Sequence, residues 1–179
     1  MHVVPDPSRP AGLNQQRPVD VVAHMSHVQT LTQRVSIVDV LLRMMGAAAL
    51  AISSYVHLHG AHFYSSLGDT ITQADLFYAQ GVVAALVALW VLVSGNRWAW
   101  VAVAVVGAAS FAAVTIYRYI DVGAIGPIPN MYEPSWQTNE KLLSAYAEAA
   151  AVVVAAAALL SRSRGRKRSA AAAPHAAGW

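Results

Sequence analysis

Three histidines lie close together in the sequence, and they are the clearest candidates for chemistry: His57, His59 and His62. Imidazole is a common ligand for zinc, copper and iron. A helix continuing past these residues would place His59 and His62 on one face, whereas an extended segment would pair His57 with His59. Three interpretations stay open: a copper or zinc site, a haem or quinone contact, or polar side chains that cap a helix end and hydrogen-bond to a neighbouring loop.

Glu148 is the one charged residue deep inside a long apolar run, eight residues after Glu140. Along a helix that spacing is roughly 12 Å. A carboxylate at such depth in a membrane is costly and normally faces other helices or water. We expect either an ion pair with Arg118 that fixes the order of the helices, or an intramembrane ligand or proton site. The run beyond Glu148 holds only alanine, valine and leucine, which favours the ion pair.

The segment 127–141 is unusually distinctive for a connection between apolar runs, because it combines three prolines with two large aromatic residues. Ordered, aromatic loops often bind ligands. The sequence leaves open whether this loop binds something or forms a lid packed on the helices. Its candidate residues are Met131, Tyr132, Glu133 and Trp136.

A basic cluster follows the last apolar run and consists of Arg162, Arg164, Arg166, Lys167 and Arg168. Such a cluster is typical of contact with anionic lipid head groups, or of a topology signal alone. No folded basic domain accompanies it, so we expect no nucleic-acid binding.

The amino-acid composition indicates the class of fold that positions these residues. The 179-residue chain is 56% hydrophobic and only 12% charged, whereas a typical globular domain carries about 25% charged residues. The absence of cysteine excludes disulfides, thiolate metal sites, cysteine nucleophiles and covalent haem attachment. We also find no phosphate-binding glycine loop, nucleophile elbow or nucleotide fingerprint.

Four apolar runs of about twenty residues dominate the chain: 37–58, 76–94, 98–117 and 142–160. A helix of about 20 residues crosses the hydrocarbon core of a bilayer. The runs are apolar on every face rather than alternating, which argues against a transmembrane barrel. We therefore predict an all-α fold, a transmembrane four-helix bundle over residues 35–161.

The flanks and loops predict the orientation. Residues 1–34 are proline-rich and aperiodic, which indicates a flexible arm, within which Met25 is an alternative start of translation. We expect residues 162–179 to form a disordered basic tail. Basic residues concentrate in the arm, in the turn 95–97 and in the tail. The positive-inside rule therefore predicts a plasma-membrane protein with both termini in the cytoplasm and two longer loops outside.

Several segments carry a resemblance to a known group: Tyr55–His59, Asn130–Pro134, Glu140–Ala145 and the pair Ala147-Glu148. They resemble an uncharacterised group of small four-span integral membrane proteins of actinobacteria. The resemblance implies the four-span topology and the bacterial source. It implies no reaction.

The function that these patterns favour is a non-enzymatic accessory or structural partner in a membrane assembly. Its expected partners are the lipid bilayer and other membrane subunits or further copies of itself. The alternative is an outward-facing metal-handling protein that binds copper or zinc through the histidine cluster. A third interpretation is the ligand or proton site at Glu148.

Overall fold

The computed structural model describes residues 37–65, 70–136 and 139–172. These residues form four α-helices, α1 (Ile37–Gly60), α2 (Gln73–Val93), α3 (Arg97–Tyr119) and α4 (Asn139–Ala172). A short 3₁₀ helix, Ala61–Tyr64, extends α1. Within these ranges no strand is present. The predicted all-α fold is confirmed, while the predicted arm 1–34 and its Met25 lie outside the described residues.

All four helices are long and apolar enough to cross a membrane. The chain thus has the architecture of a multi-pass membrane protein. The first three helices begin and end within a few residues of the predicted spans. The fourth differs, because it continues through the basic cluster to Ala172, where the sequence predicted disorder. Alanine, arginine and lysine are good helix formers, and the next proline is Pro174.

The four helices form a ring in chain order. Each packs against its neighbours in sequence, and α4 closes the ring against α1. The seam between α2 and α3 is the sparsest of the four. That pair is joined by the tight turn at Gly95, where φ is +53°, a conformation that glycine adopts without strain. The predicted antiparallel pairing of these two helices is therefore present, but it leaves space between them at the end remote from the turn.

Trp100 is the largest fully buried side chain of the core. It packs with Leu50, Val91 and Val103 in the half of the bundle near the Gly95 turn. A Cβ atom added at Gly46 would lie 2.9 Å from Trp100 Cζ3. The small residue on α1 is therefore what lets the indole ring fill the centre of the bundle.

One end of the bundle holds the first residues of α1, the Gly95 turn and the basic part of α4, and we call it the basic end. Arg162 connects these three segments. Its guanidinium donates to the Asp39 carboxylate and, at 2.9 Å, to the carbonyl of Gly95. Arg43 pairs with the other oxygen of Asp39 at 2.6 Å, as their i, i+4 spacing predicts. Arg162 thus links α1, α4 and the α2–α3 turn, so the first residues of α1 and the basic part of α4 lie at the same end of the bundle.

Candidate functional site

Glu148 lies on α4 with only 1% of its surface exposed. One carboxylate oxygen, Oε1, accepts hydrogen bonds from Ser144 Oγ at 2.7 Å and Ser53 Oγ at 3.0 Å. The other oxygen, Oε2, is buried and has no hydrogen-bond partner among the described residues. Buried polar groups are nearly always hydrogen-bonded, so the unpaired oxygen indicates that a hydrogen-bond donor to this carboxylate is missing.

His57 stands beside Glu148, with its Nε2 atom 4.0 Å from Glu148 Oε1. Its Nδ1 atom lies 2.8 Å from the carbonyl oxygen of Ser53. Because a carbonyl only accepts hydrogen bonds, Nδ1 carries the proton, and in a neutral imidazole Nε2 is then an acceptor. The ring is held edge-on against Phe77 of α2 at 5.2 Å between centroids. The two side chains therefore lie side by side, with Glu148 Oε2 buried and lacking a donor among the described residues, and a neutral His57 offers Nε2 as an acceptor.

Both residues line a cavity of about 600 Å³ between the four helices. Ligand pockets in proteins typically measure 300–1,000 Å³ and combine apolar walls with a few polar groups. The apolar walls here include Val56, Phe63, Leu76, Phe77, Ala113 and Val114. The polar lining includes His57, Tyr64, Gln80, Glu133, Lys141 and Glu148. We call the half of the bundle that contains this space the cavity end.

Gln80 and Ser110 form a polar pair on the opposite wall, across the seam between α2 and α3. Gln80 Nε2 donates to Ser110 Oγ, and both residues line the cavity. Sequence reasoning missed these two residues and the two serines that bind Glu148. All four are uncharged polar residues inside apolar runs, and that position was the available signal.

Glu133 attaches the loop between α3 and α4 to the cavity end. Its backbone N–H donates to the carbonyl of Tyr117 at 3.0 Å. Lys141 Nζ lies 2.9 Å from the Glu133 carbonyl and 3.3 Å from its Oε2. Tyr64 donates to the same carboxylate at 3.5 Å. The loop therefore packs on the helices as the lid interpretation expects, and it also lines the cavity through Glu133 and Met131.

Trp136 also attaches this loop to the helices, because its ring makes cation–π contacts with two basic side chains. Arg118 lies 5.8 Å from the ring centroid and Lys141 lies 5.6 Å from it. Tyr132, by contrast, is 39% exposed.

The ion pair expected between Arg118 and Glu148 is not formed among the described residues. The two side chains lie at different depths. A Cβ atom added at Gly107 would be 3.0 Å from the Glu148 backbone oxygen, so Gly107 marks the depth of Glu148. Arg118 lies eleven residues further along α3, or roughly 16 Å. It instead stacks on Trp136 and Tyr119.

The three histidines do not gather at one point. His59 and His62 are exposed, and their rings meet edge to face at 5.9 Å. His62 Nδ1 lies 2.7 Å from the His59 carbonyl, while His57 faces the cavity. The described part of the chain contains no group of three or more histidine, cysteine, aspartate or glutamate residues placed to hold a metal ion.

The predicted lipid-contact residues separate into two kinds. Arg162 is committed to the contacts of the basic end, whereas Arg164 is exposed. The side chains of Arg166, Lys167 and Arg168 lie outside the described part of the chain.

Comparisons with protein-family models, curated proteins and solved structures give no match to the chain. The resemblance to actinobacterial four-span proteins therefore stays a prediction.

Proposed function

We propose that the protein is a multi-pass membrane protein that binds a small organic ligand in the cavity beside Glu148. The observation that carries the proposal is the buried Glu148 carboxylate, which borders a cavity of about 600 Å³ and has one oxygen without a partner in the part of the chain that the structure describes. A carboxylate that served only to hold helices together would be expected to have both oxygens satisfied. An ionisable residue inside a membrane span is by default a functional candidate.

A matched pair of alanines on α3 provides the test. Ala113 lines the cavity, whereas the neighbouring Ala112 is exposed and is not part of the lining. Ala113→Phe should fill the space that a ligand needs, and Ala112→Phe should add the same ring outside it. We expect ligand-observed NMR with a library of small organic fragments to find binders of the purified wild-type protein. Their signals should persist with Ala112→Phe and be reduced at least tenfold with Ala113→Phe.

A library that yields no binder, or binders equally affected by both substitutions, would contradict the proposal. The thermal unfolding midpoint of each variant serves as the control, because a folded Ala113→Phe protein is required for its loss of binding to be attributed to the filled cavity.

We also propose that the cavity end faces outward from the plasma membrane. The support is charge, since Arg97, Arg162 and Arg164 all lie at the basic end, and basic residues favour the cytoplasmic side. The chain has no cysteine, so single cysteines report topology directly. A membrane-impermeant maleimide on intact cells should label Ala124→Cys, in the loop between α3 and α4. It should label Ser163→Cys only after permeabilisation, and the reverse pattern would invert the topology.

The accessory role in a membrane assembly, like the non-enzymatic character and the copper or zinc alternative, rests on the sequence alone and stays a prediction. Mild solubilisation followed by co-purification is the measurement that checks the accessory role. A defined complex supports it, and recovery of only the isolated protein in several detergents counts against it.

A further inference from the structure

We infer that the ligand is an organic cation, a primary or secondary amine with an apolar body, whose ammonium group binds between Glu148 and His57. This inference rests on the proposed ligand cavity and names the chemistry of its occupant.

The charge of the cavity lining is the first argument. It contains three carboxylates, Glu133, Glu140 and Glu148, and one ammonium group, that of Lys141. Lys141 is already engaged, because its Nζ lies within 3.3 Å of both the carbonyl oxygen and Oε2 of Glu133. The lining therefore has three carboxyl groups against one ammonium group, and no lysine or arginine of the described residues pairs with its most buried carboxyl group, that of Glu148.

The hydrogen-bonding geometry is the second argument. Glu148 Oε2 lacks a donor among the described residues, and with Nδ1 donating to the Ser53 carbonyl, a neutral His57 has Nε2 as an acceptor. An ammonium group carries at least two N–H donors and no acceptor, so it matches a carboxylate oxygen and an imidazole nitrogen that both accept. In a low-dielectric interior such charge-assisted hydrogen bonds are stronger than in water.

The apolar walls of the cavity are the third argument, because they indicate the chemistry of the ligand beyond its ammonium group. Phe63, Phe77 and Val114 line the same cavity as Glu148. The Tyr64 and Phe77 rings lie 5.0 Å apart, and aromatic faces attract organic cations. An aromatic or aliphatic body is what such walls bind, and a volume of about 600 Å³ accommodates it with the amine at the carboxylate.

Other ligand charges fit less well. An anion would meet the uncompensated Glu148 carboxylate at the deepest part of the cavity. A divalent metal ion would need several oxygen or nitrogen ligands, and the described residues bring no three suitable side chains together.

Three probes with the same aromatic body separate these charges: 2-phenylethylamine, 2-phenylethanol and 3-phenylpropanoate. Binding is measured to the full-length protein in nanodiscs of zwitterionic lipid, with empty nanodiscs correcting for partition into the bilayer. We expect the amine to bind the wild-type protein at least tenfold more tightly than the alcohol, and the carboxylate to bind most weakly.

Glu148→Gln should abolish the preference for the amine, bringing the ratio of amine to alcohol affinity close to one. Glu148→Asp keeps the charge and should retain part of the preference. Alcohol binding by both variants shows that their cavities are intact. If Glu148→Gln does not fold, the comparison of wild type with Glu148→Asp still tests the inference, because shortening the side chain should reduce amine affinity more than alcohol affinity.

Equal affinity for amine and alcohol in the wild-type protein, or full amine preference in Glu148→Gln, would overturn the inference while leaving the ligand cavity in place. The same holds if all three probes fail but fragments of other chemistry bind in a manner that depends on Ala113. Failure of every fragment overturns the proposed cavity function itself.

Discussion

Gly107→Leu is expected to lower the free energy of unfolding by about 3 kcal/mol or more, the upper part of the range for overpacked interiors. Gly107 lies where α3 packs closely against α4. A Cβ atom there would be 3.0 Å from the Glu148 backbone oxygen and 3.2 Å from Val152 Cγ2. The nearest obstacle is backbone, which cannot change rotamer, so the helices must separate. Inside a bilayer their association depends on this close packing of small residues.

The control is Ala108→Leu, which adds a leucine at the adjacent exposed position. Leucine is a better helix former than glycine by roughly 0.7 kcal/mol, so propensity alone would stabilise the Gly107 variant. Tryptophan fluorescence during thermal unfolding in detergent should show a lower midpoint for Gly107→Leu and little change for Ala108→Leu. Similar midpoints for the two variants would show that α3 and α4 are not held at this distance.

Gly107→Leu should also weaken ligand binding, because the carbonyl it displaces belongs to Glu148. A shift of this part of α4 moves the carboxyl group away from Ser53 of α1, which donates to it. Measuring fragment binding below the unfolding midpoint distinguishes displacement of the carboxyl from global unfolding.

The fold was predictable because its determinants are long and local. Each apolar run exceeds what a chain of this size can bury without a membrane, and its length fixes a span. Gly95 and Asn96 marked the turn between the second and third runs. In the structure Asn96 caps α3, its Oδ1 atom accepting from the Ala99 N–H at 2.8 Å. The fourth helix extends beyond the predicted span to Ala172, because the alanines and basic residues after Leu160 are good helix formers.

The site was only half predictable. Glu148 stood out because ionisable side chains are rare in apolar runs, and His57 stood out as one of three neighbouring histidines. Ser144 lies four residues before Glu148, and Ser53 four before His57, so helical spacing alone could have connected each pair. The bond from Ser53 to Glu148, by contrast, joins residues 95 apart in the chain. It depends on how α1 and α4 are rotated about their axes, which no pattern in a single helix determines. The same rotation turns His57 inward and leaves His59 outside.

Glu148→Met is expected to raise the free energy of unfolding, by about 1 to 3 kcal/mol, as apolar replacement of buried charges often does. The carboxylate is almost fully buried, and Oε2 has no partner to offset the loss of hydration. Methionine has a similar length and adapts to irregular space. The hydroxyls of Ser53 and Ser144 still have a hydrogen-bond acceptor in this variant, because serine in a helix can donate to the carbonyl four residues earlier.

Leu143→Met, at an exposed position of α4, is the matched control, and it should leave the unfolding midpoint unchanged. Arg118→Gln should likewise leave the surroundings of Glu148 unchanged, because Arg118 stacks on Trp136 instead. If Glu148→Met lowers the free energy of unfolding by more than about 1 kcal/mol, the carboxyl is a structural link between α1 and α4.

If the Glu148→Met protein is more stable and has lost its preference for amines, then the Glu148 side chain lowers the stability of the fold but is needed for binding. Sites built for ligands commonly cost stability in this way. The desolvation of Glu148 is unfavourable for the empty bundle and becomes useful only when a bound cation supplies the missing donor. The wild-type protein should therefore gain thermal stability from saturating amine, by RT ln(1 + [L]/Kd), whereas Glu148→Met should start higher and gain much less.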